Sequence, residues 1–152
     1  MSVLPTFDLR TGHPQIDEEH GTLLGLLGRL ESVCVLHKGS ACGMCLRSQR
    51  NECWMSLIDI LAKVFGYTVD HFAFEEKAMC GLPDAPEKGS HRAAHIEDHE
   101  RIVATLRDMM LAVDSPDVGT VGSDLEFIVR GWLAEHITKF DIPLVAMLQT
   151  GR

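Results

Sequence analysis

Histidines and carboxylates recur along the chain at spacings that would place them on common helix faces. His71 and Glu75 lie four residues apart, and His91, His95 and His99 repeat the same step over two turns. Side chains four residues apart on a helix are neighbours, so such groups can reach a common centre. The chain has eight histidines, and imidazole is the commonest metal ligand in proteins. The candidate metal ligands are His20, His71, Glu75, His91, His95, His99, His136 and Asp141.

These polar residues interrupt apolar stripes, which indicates that they point into the protein core. His20 precedes Leu23 and Leu27 by three and seven residues, and His99 precedes Ile102 in the same way. A buried polar group without a partner is costly, and a shared metal ion would satisfy several at once. Five imidazoles with two carboxylates exceed the needs of one ion and suit two. Nitrogen and oxygen donors without thiolate favour iron, with manganese or zinc as alternatives.

Four long amphipathic stretches carry the candidate ligands, and no strand-like alternation is evident. Apolar residues recur at helical spacing in residues 16–36, 54–79, 90–113 and from 123 onward. Pro143 is expected to kink or end the last helix. We therefore predict an all-α fold, an up-down-up-down antiparallel four-helix bundle with a di-iron centre in its core.

The charge balance excludes some partners. Lys and Arg number 14 and Asp and Glu number 22, which gives a net charge of −8. A nucleic-acid partner is not expected, because phosphate-backbone binding requires a basic face. A membrane partner is not expected either, because no run of 18 apolar residues occurs. The first ten residues lack the pattern of a signal peptide, which favours a cytoplasmic location.

Taken together, the motifs resemble those of the bacterial hemerythrin family, in the same order. They are Ile16-Asp17-x-x-His20, His71-Phe72-x-x-Glu75-Glu76-x-x-Met79, His95-x-x-x-His99 and Trp132-Leu133-x-x-His136-Ile137-x-x-x-Asp141. The resemblance covers nearly the whole chain except residues 34–53. It implies a single hemerythrin-like domain over residues 1–152, with a Cys-rich insertion at about 34–53 between the first and second helices.

The resemblance also implies a role for each ligand. His95, His99 and His136 would bind one iron ion, and His20 and His71 would bind the other. Two carboxylates, Glu75 and Asp141, would bridge the two iron ions beside an oxo or hydroxo group, and both ions would pass between Fe2+ and Fe3+. The iron with two histidines keeps an open position, where O2 binds in this family. The candidate walls of the O2 pocket are Leu23, Leu24, Phe72, Ile102 and Trp132.

The third helix leaves two choices, because His91 with His95 and His95 with His99 have the same spacing. The inward position three residues after the second ligand would be Asp98 in the first case and Ile102 in the second. An apolar residue suits that position, so we favour His95 and His99.

The insertion contains a second cluster of chemically active side chains, for which three interpretations compete. The first is structural Zn2+ bound by four of the cluster's residues. The second is a redox dithiol of Cys42 with Cys45, and the third is a set of thiols without a special role. The cluster consists of Cys34, His37, Cys42, Cys45 and Cys53.

The first functional hypothesis is a non-haem di-iron protein that binds O2 reversibly, for sensing oxygen or redox state or for O2 carriage. Signalling through an output domain of a larger protein would fit the sensing role. The alternative is a di-iron enzyme: an oxidase, peroxidase, NO reductase or iron-repair protein acting on peroxide or NO. We expect no enzymatic activity, because His-rich ligation makes the centre less oxidising than Glu-rich ligation. A metal-free or zinc-loaded interaction bundle is the third hypothesis.

Overall fold

A computed structural model describes residues 9–33, 45–112 and 118–150 of the chain. These residues contain no strand, which confirms the predicted all-α class, and none of their helices is long and apolar enough to cross a membrane. The helices are α1 (Pro14–Ser32), α2 (Arg47–Cys80), α3 (Pro86–Ala112), α4 (Val118–His136) and α5 (Ile142–Thr150). A π-helical turn, Ile137–Asp141, joins α4 to α5.

Contacts between successive helices show that neighbours run in opposite directions. Arg29 of α1 lies 3.8 Å from Asp59 of α2, whereas His20 of α1 contacts His71 of α2. Residue numbers therefore rise along α1 as they fall along α2. The same reversal relates α2 to α3 and α3 to α4, in the pairs Phe72–His99, Glu75–His95, His99–His136 and His91–Phe140. This arrangement is the predicted antiparallel bundle.

The core is built from the apolar stripe of each helix. Leu27 of α1, Leu61 of α2, Ile102 of α3 and Leu133 of α4 are all buried and belong to one hydrophobic cluster. Burying one such side chain stabilises the fold by about 1.5–3 kcal/mol. Packing of these stripes fixes how each helix is rotated about its own axis. The polar residues interspersed in the stripes therefore point inward.

The predicted start of α2 near Trp54 is wrong, because the helix begins at Arg47. The segment Arg47–Cys53 contains neither Gly nor Pro, so nothing interrupts the helix there. The Gln49 side chain accepts a hydrogen bond from the backbone N–H of Leu46 at 3.0 Å and closes the first turn. Cys53, predicted in the insertion, thus belongs to α2.

The predicted starts of the next two helices are also late. Helix α3 begins at Pro86 rather than Ser90, because proline is well suited to the first turn, where its missing N–H leaves no bond unmade. Helix α4 begins at Val118 rather than at Ser123. Both differences shorten the connections without turning any inward residue outward.

Candidate metal centre

Seven polar side chains meet inside the bundle, and each of them is no more than 3% exposed. Such burial is unusual for the two carboxylates, because Asp and Glu are almost never fully buried unless they are paired. They come from every helix of the bundle and from the π-helical turn. The seven are His20, His71, Glu75, His95, His99, His136 and Asp141.

The ligand atoms of these side chains form two overlapping groups, and in each group all of them lie within 4.8 Å of one another. The first group is Glu75, His95, His99 and His136, and the second is His20, His71, Glu75 and Asp141. The imidazoles divide three and two, and Glu75 is common to both groups.

Glu75 turns one oxygen towards each group. Its Oε1 lies 3.4 Å from Nε2 of His71. Its Oε2 lies 3.2 Å from Nε2 of His99 and 3.3 Å from Nε2 of His95. This orientation is the one that a carboxylate bridging two cations requires.

Asp141 has the same two-sided orientation, and the π-helical turn produces it. Its Oδ2 lies 2.9 Å from Nε2 of His20, and its Oδ1 lies 3.0 Å from Nε2 of His136. In an α-helix, residues five apart point about 140° away from each other, because each residue turns the chain by about 100°. A π-helical turn has hydrogen bonds between residues five apart, as from the Ile142 N–H to the Ile137 carbonyl, and aligns them.

The buried carboxylate oxygens fit cations better than they fit the neighbouring donors. Oε1 of Glu75 and both side-chain oxygens of Asp141 are buried, and no donor meets them in regular hydrogen-bond geometry, although imidazole nitrogens lie 2.9–3.4 Å away. Lone pairs of imidazole nitrogens and carboxylate oxygens converge instead at separations of about 3 Å. A set of nitrogen and oxygen donors without thiolate suits iron among the transition metals.

Comparison with known proteins agrees with this chemistry. A family model described as the hemerythrin HHE cation binding domain matches residues 11–148. The chain belongs to the hemerythrin family. It is 25% identical over 134 residues to the bacteriohemerythrin of Pseudomonas aeruginosa, covering 88% of this chain and 73% of that protein. It is 29% identical over 126 residues to the bacteriohemerythrin of Methylococcus capsulatus, covering 82% of this chain and 79% of that protein. No solved structure matches the chain significantly.

Carboxylates outside the cluster of this hemerythrin domain contact the outer imidazole nitrogens, Nδ1, which point away from the centre of the cluster. Each acts between neighbouring helices in chain order: α1 supports α2, α2 supports α3, and α3 supports α4. The pairs are His71 Nδ1 with Glu19 at 2.6 Å, His99 Nδ1 with Glu76 at 2.9 Å, and His136 Nδ1 with Asp98 at 2.7 Å. Such partners fix the tautomer and orientation of a metal-binding histidine, with Nε2 facing the metal.

Sequence reasoning missed these three outer carboxylates, although a signal was present. Each directly adjoins an inner residue, in the pairs Glu19–His20, Glu75–Glu76 and Asp98–His99. One step along a helix is a rotation of about 100°, which moves a side chain from the inner face to the edge beside the next helix. A carboxylate adjoining a candidate ligand is therefore a candidate outer partner.

The structure places His99 rather than His91 in the cluster. His91 is half-buried and contacts the outer nitrogen of His95, with 3.3 Å between Nε2 of His91 and Nδ1 of His95. The apolar position at Ile102 is buried as expected, whereas Asp98 faces His136.

Four of the five predicted pocket residues lie in or beside the core, and one does not. Leu23, Phe72 and Ile102 are buried, and Trp132 is half-buried against the hydrophobic cluster. The prediction is wrong for Leu24, which is 39% exposed. It follows the inward Leu23 by one residue and is therefore turned by about 100° towards the surface.

The predicted cysteine cluster lies only partly within the described residues. Cys34, His37 and Cys42 lie outside them, so the zinc and redox-dithiol interpretations stay predictions. Cys45 precedes α2. Cys53 lies within α2 and packs against the hydrophobic core. In the part of the chain that the structure describes, neither candidate metal group contains a cysteine.

Protons take the place of cations when no metal is bound. Burial alone would lower the pKa of His136, but the close carboxylates of Asp141, Glu75 and Asp98 raise it to about 10. Burial likewise opposes ionisation of Glu75 and Asp141, yet close contacts with neighbouring imidazoles hold the pKa of each carboxyl well below its usual range. Protons and metal ions therefore compete for the same imidazoles.

We expect the metal-free protein to be most stable between about pH 4.5 and 6.5. The pKa of His136 is raised on folding, so its contribution is complete below about pH 6.5 and is lost as the pH rises towards 10. The pKa values of Glu75 and Asp141 are lowered, so their contribution is lost as the pH falls below about 4.

Melting temperatures measured in chelator from pH 3 to pH 10 check this expectation. The melting temperature should fall by about 5 °C or more between pH 6 and pH 9. His136→Gln removes the titrating imidazole and should flatten the alkaline side of the curve. A melting temperature that rises from pH 6.5 to pH 9 would contradict the assignment.

Proposed function

We propose that this hemerythrin-family chain holds two iron ions and binds O2 reversibly at one of them. The observation that carries the proposal is the division of the five imidazoles into groups of three and two. Glu75 and Asp141 lie between these groups, and each turns one oxygen towards each group. His95, His99 and His136 would hold the first ion and His20 and His71 the second, with both carboxylates available to each. The second ion would thus have one protein ligand fewer, which would leave a position for a small ligand.

Two ferrous ions would supply the O2-binding position and the electrons that bound O2 takes up. The protein's contribution is an apolar layer directly beside the ligands. Phe72 stacks on His99 with 3.7 Å between ring centroids, and Phe72 and Trp132 form a T-shaped pair with 6.0 Å between centroids. Such a layer limits water at the site and so protects the reduced metal pair from side reactions.

A cavity between α3 and α4 lies next to the cluster and has room for a small apolar molecule. Its volume is about 50 Å³, several times the space that one water molecule needs. Ile102 and Leu106 of α3 and Val129 and Trp132 of α4 line it. Ile102 and Trp132 each lie about one helical turn from the cluster residues His99 and His136, respectively, so the cavity adjoins the three-histidine side of the cluster.

The donor set favours binding over chemical cleavage of O2. Five neutral imidazoles share the cluster with only two carboxylates, so less negative charge stabilises highly oxidised iron than in Glu-rich di-iron enzymes. In this proposal the domain is a cytoplasmic oxygen- or redox-sensing module or an O2 carrier, and NO or peroxide are alternative ligands.

Visible spectroscopy of the iron-loaded protein tests the proposal. We expect two iron ions per chain and an absorption band that forms in air and disappears under argon over repeated cycles. Substoichiometric iron would overturn the proposal. Multiple turnover with peroxide or NO, without a reversible oxygenated form, would instead support the enzyme alternative.

A further inference from the structure

His91 is distinct among the outer partners of the cluster because it is not a carboxylate. Glu19, Glu76 and Asp98 each contact the outer nitrogen of a cluster imidazole. The outer nitrogen of His95 instead lies 3.3 Å from Nε2 of His91, one turn earlier on the same helix. The two rings are nearly perpendicular, with an interplanar angle of 80° and 5.2 Å between centroids.

The geometry defines the direction of this hydrogen bond in the metal-bound state. Nε2 of His95 faces Oε2 of Glu75 at 3.3 Å and Oδ1 of Asp141 at 3.2 Å, so Nε2 is the ligand atom. A neutral imidazole that binds metal through Nε2 carries its proton on Nδ1. Nδ1 of His95 therefore donates, and Nε2 of His91 accepts.

Phe140 completes the support of the His95 ring. Its ring stacks on His95 at 5.0 Å with an interplanar angle of 20°, and it also contacts His91 at 6.1 Å. The aromatic contact restrains the tilt of the His95 ring, whereas the hydrogen bond to His91 restrains rotation within the ring plane. Removal of the His91 acceptor would leave the second motion free.

We propose that His91 is a positioning residue that fixes His95 through a neutral acceptor, so that His95 binds iron as a weaker donor than the carboxylate-supported histidines. This inference rests on the proposed di-iron site. A carboxylate behind a metal-binding imidazole raises its basicity, and a neutral imidazole does so less. Less electron donation through His95 favours the ferrous state and thus the release of bound O2.

Four variants separate the role of the hydrogen bond from that of its charge. His91→Ala removes the acceptor, His91→Gln retains a neutral acceptor, and His91→Glu supplies a charged one. Arg92→Ala, at the exposed neighbouring position, is the matched control. Iron affinity is measured by competition with a chelator, the midpoint potential of the iron pair by redox titration, and folding by circular dichroism.

We expect His91→Ala to lower iron affinity by about 10–100-fold, as loss of an outer partner does elsewhere. His91→Gln should restore most of that loss, and Arg92→Ala should behave as the wild type. His91→Glu should bind iron at least as tightly as the wild type and lower the midpoint potential. Equal affinities for the Ala and Gln variants, or an unchanged potential in His91→Glu, would overturn the inference. Wild-type protein that fails to bind two iron ions would instead overturn the proposed function itself.

Discussion

Glu75→Ala is expected to abolish binding of both iron ions, the largest effect of any single substitution in this chain. Glu75 is the one residue common to both candidate metal groups, and its two oxygens face different groups. Its removal takes one anionic ligand from each ion and the charge that offsets the repulsion between the two cations. Iron affinity should therefore fall by more than the about 10–100-fold decrease that loss of an outer partner typically causes.

The chain offers matched controls for this variant. Glu76→Ala removes the adjacent carboxylate, which contacts only the outer nitrogen of His99, and should cost about 10–100-fold in affinity. Glu100→Ala removes an exposed carboxylate next to His99 and should leave iron binding unchanged. Metal analysis after desalting and chelator competition measure all three. Retention of two iron ions per chain by Glu75→Ala, with native circular dichroism, would refute the bridging role.

The inner residues could be predicted from the sequence because helical periodicity carries their position. His71 and Glu75 are one turn apart, and so are His95 and His99, in stripes whose other members are apolar. The seven residues favoured as ligands are all buried in the structure, whereas the alternative, His91, is half-buried. Local periodicity sufficed because a regular helix turns each residue by a constant angle.

Other features depend on long-range packing or on departures from regular helix, so periodicity did not reveal them. The spacing of five between His136 and Asp141 does not fit an α-helical face, and only the π-helical turn aligns them. The outer carboxylates act across helix pairs, so their partners depend on how neighbouring helices pack. Leu24 was wrongly assigned to the pocket because it directly follows another leucine. Two adjacent helical residues point about 100° apart, so their apolar character alone does not show which of them faces the core.

Removal of iron should lower the melting temperature by about 8–16 °C, the second large effect. A ligand present at about 1,000 times its dissociation constant stabilises the folded state by about 4.1 kcal/mol. In a domain of this size, 1 kcal/mol corresponds to about 2–4 °C. The structural reason is the buried cluster, where oxygens of Glu75 and Asp141 lack a donor in regular hydrogen-bond geometry and a cation would satisfy them.

Thermal denaturation with and without a chelator measures this shift, and Glu75→Ala is its internal control. If the stabilisation comes from ions held at the cluster, the variant should melt at the same temperature with and without iron. Lowering the pH towards 5 should shrink the shift in the wild type, because protons occupy the imidazole of His136, whose pKa is raised in the metal-free protein. A shift that persists in Glu75→Ala, or one that is independent of pH, would place the stabilising ions elsewhere.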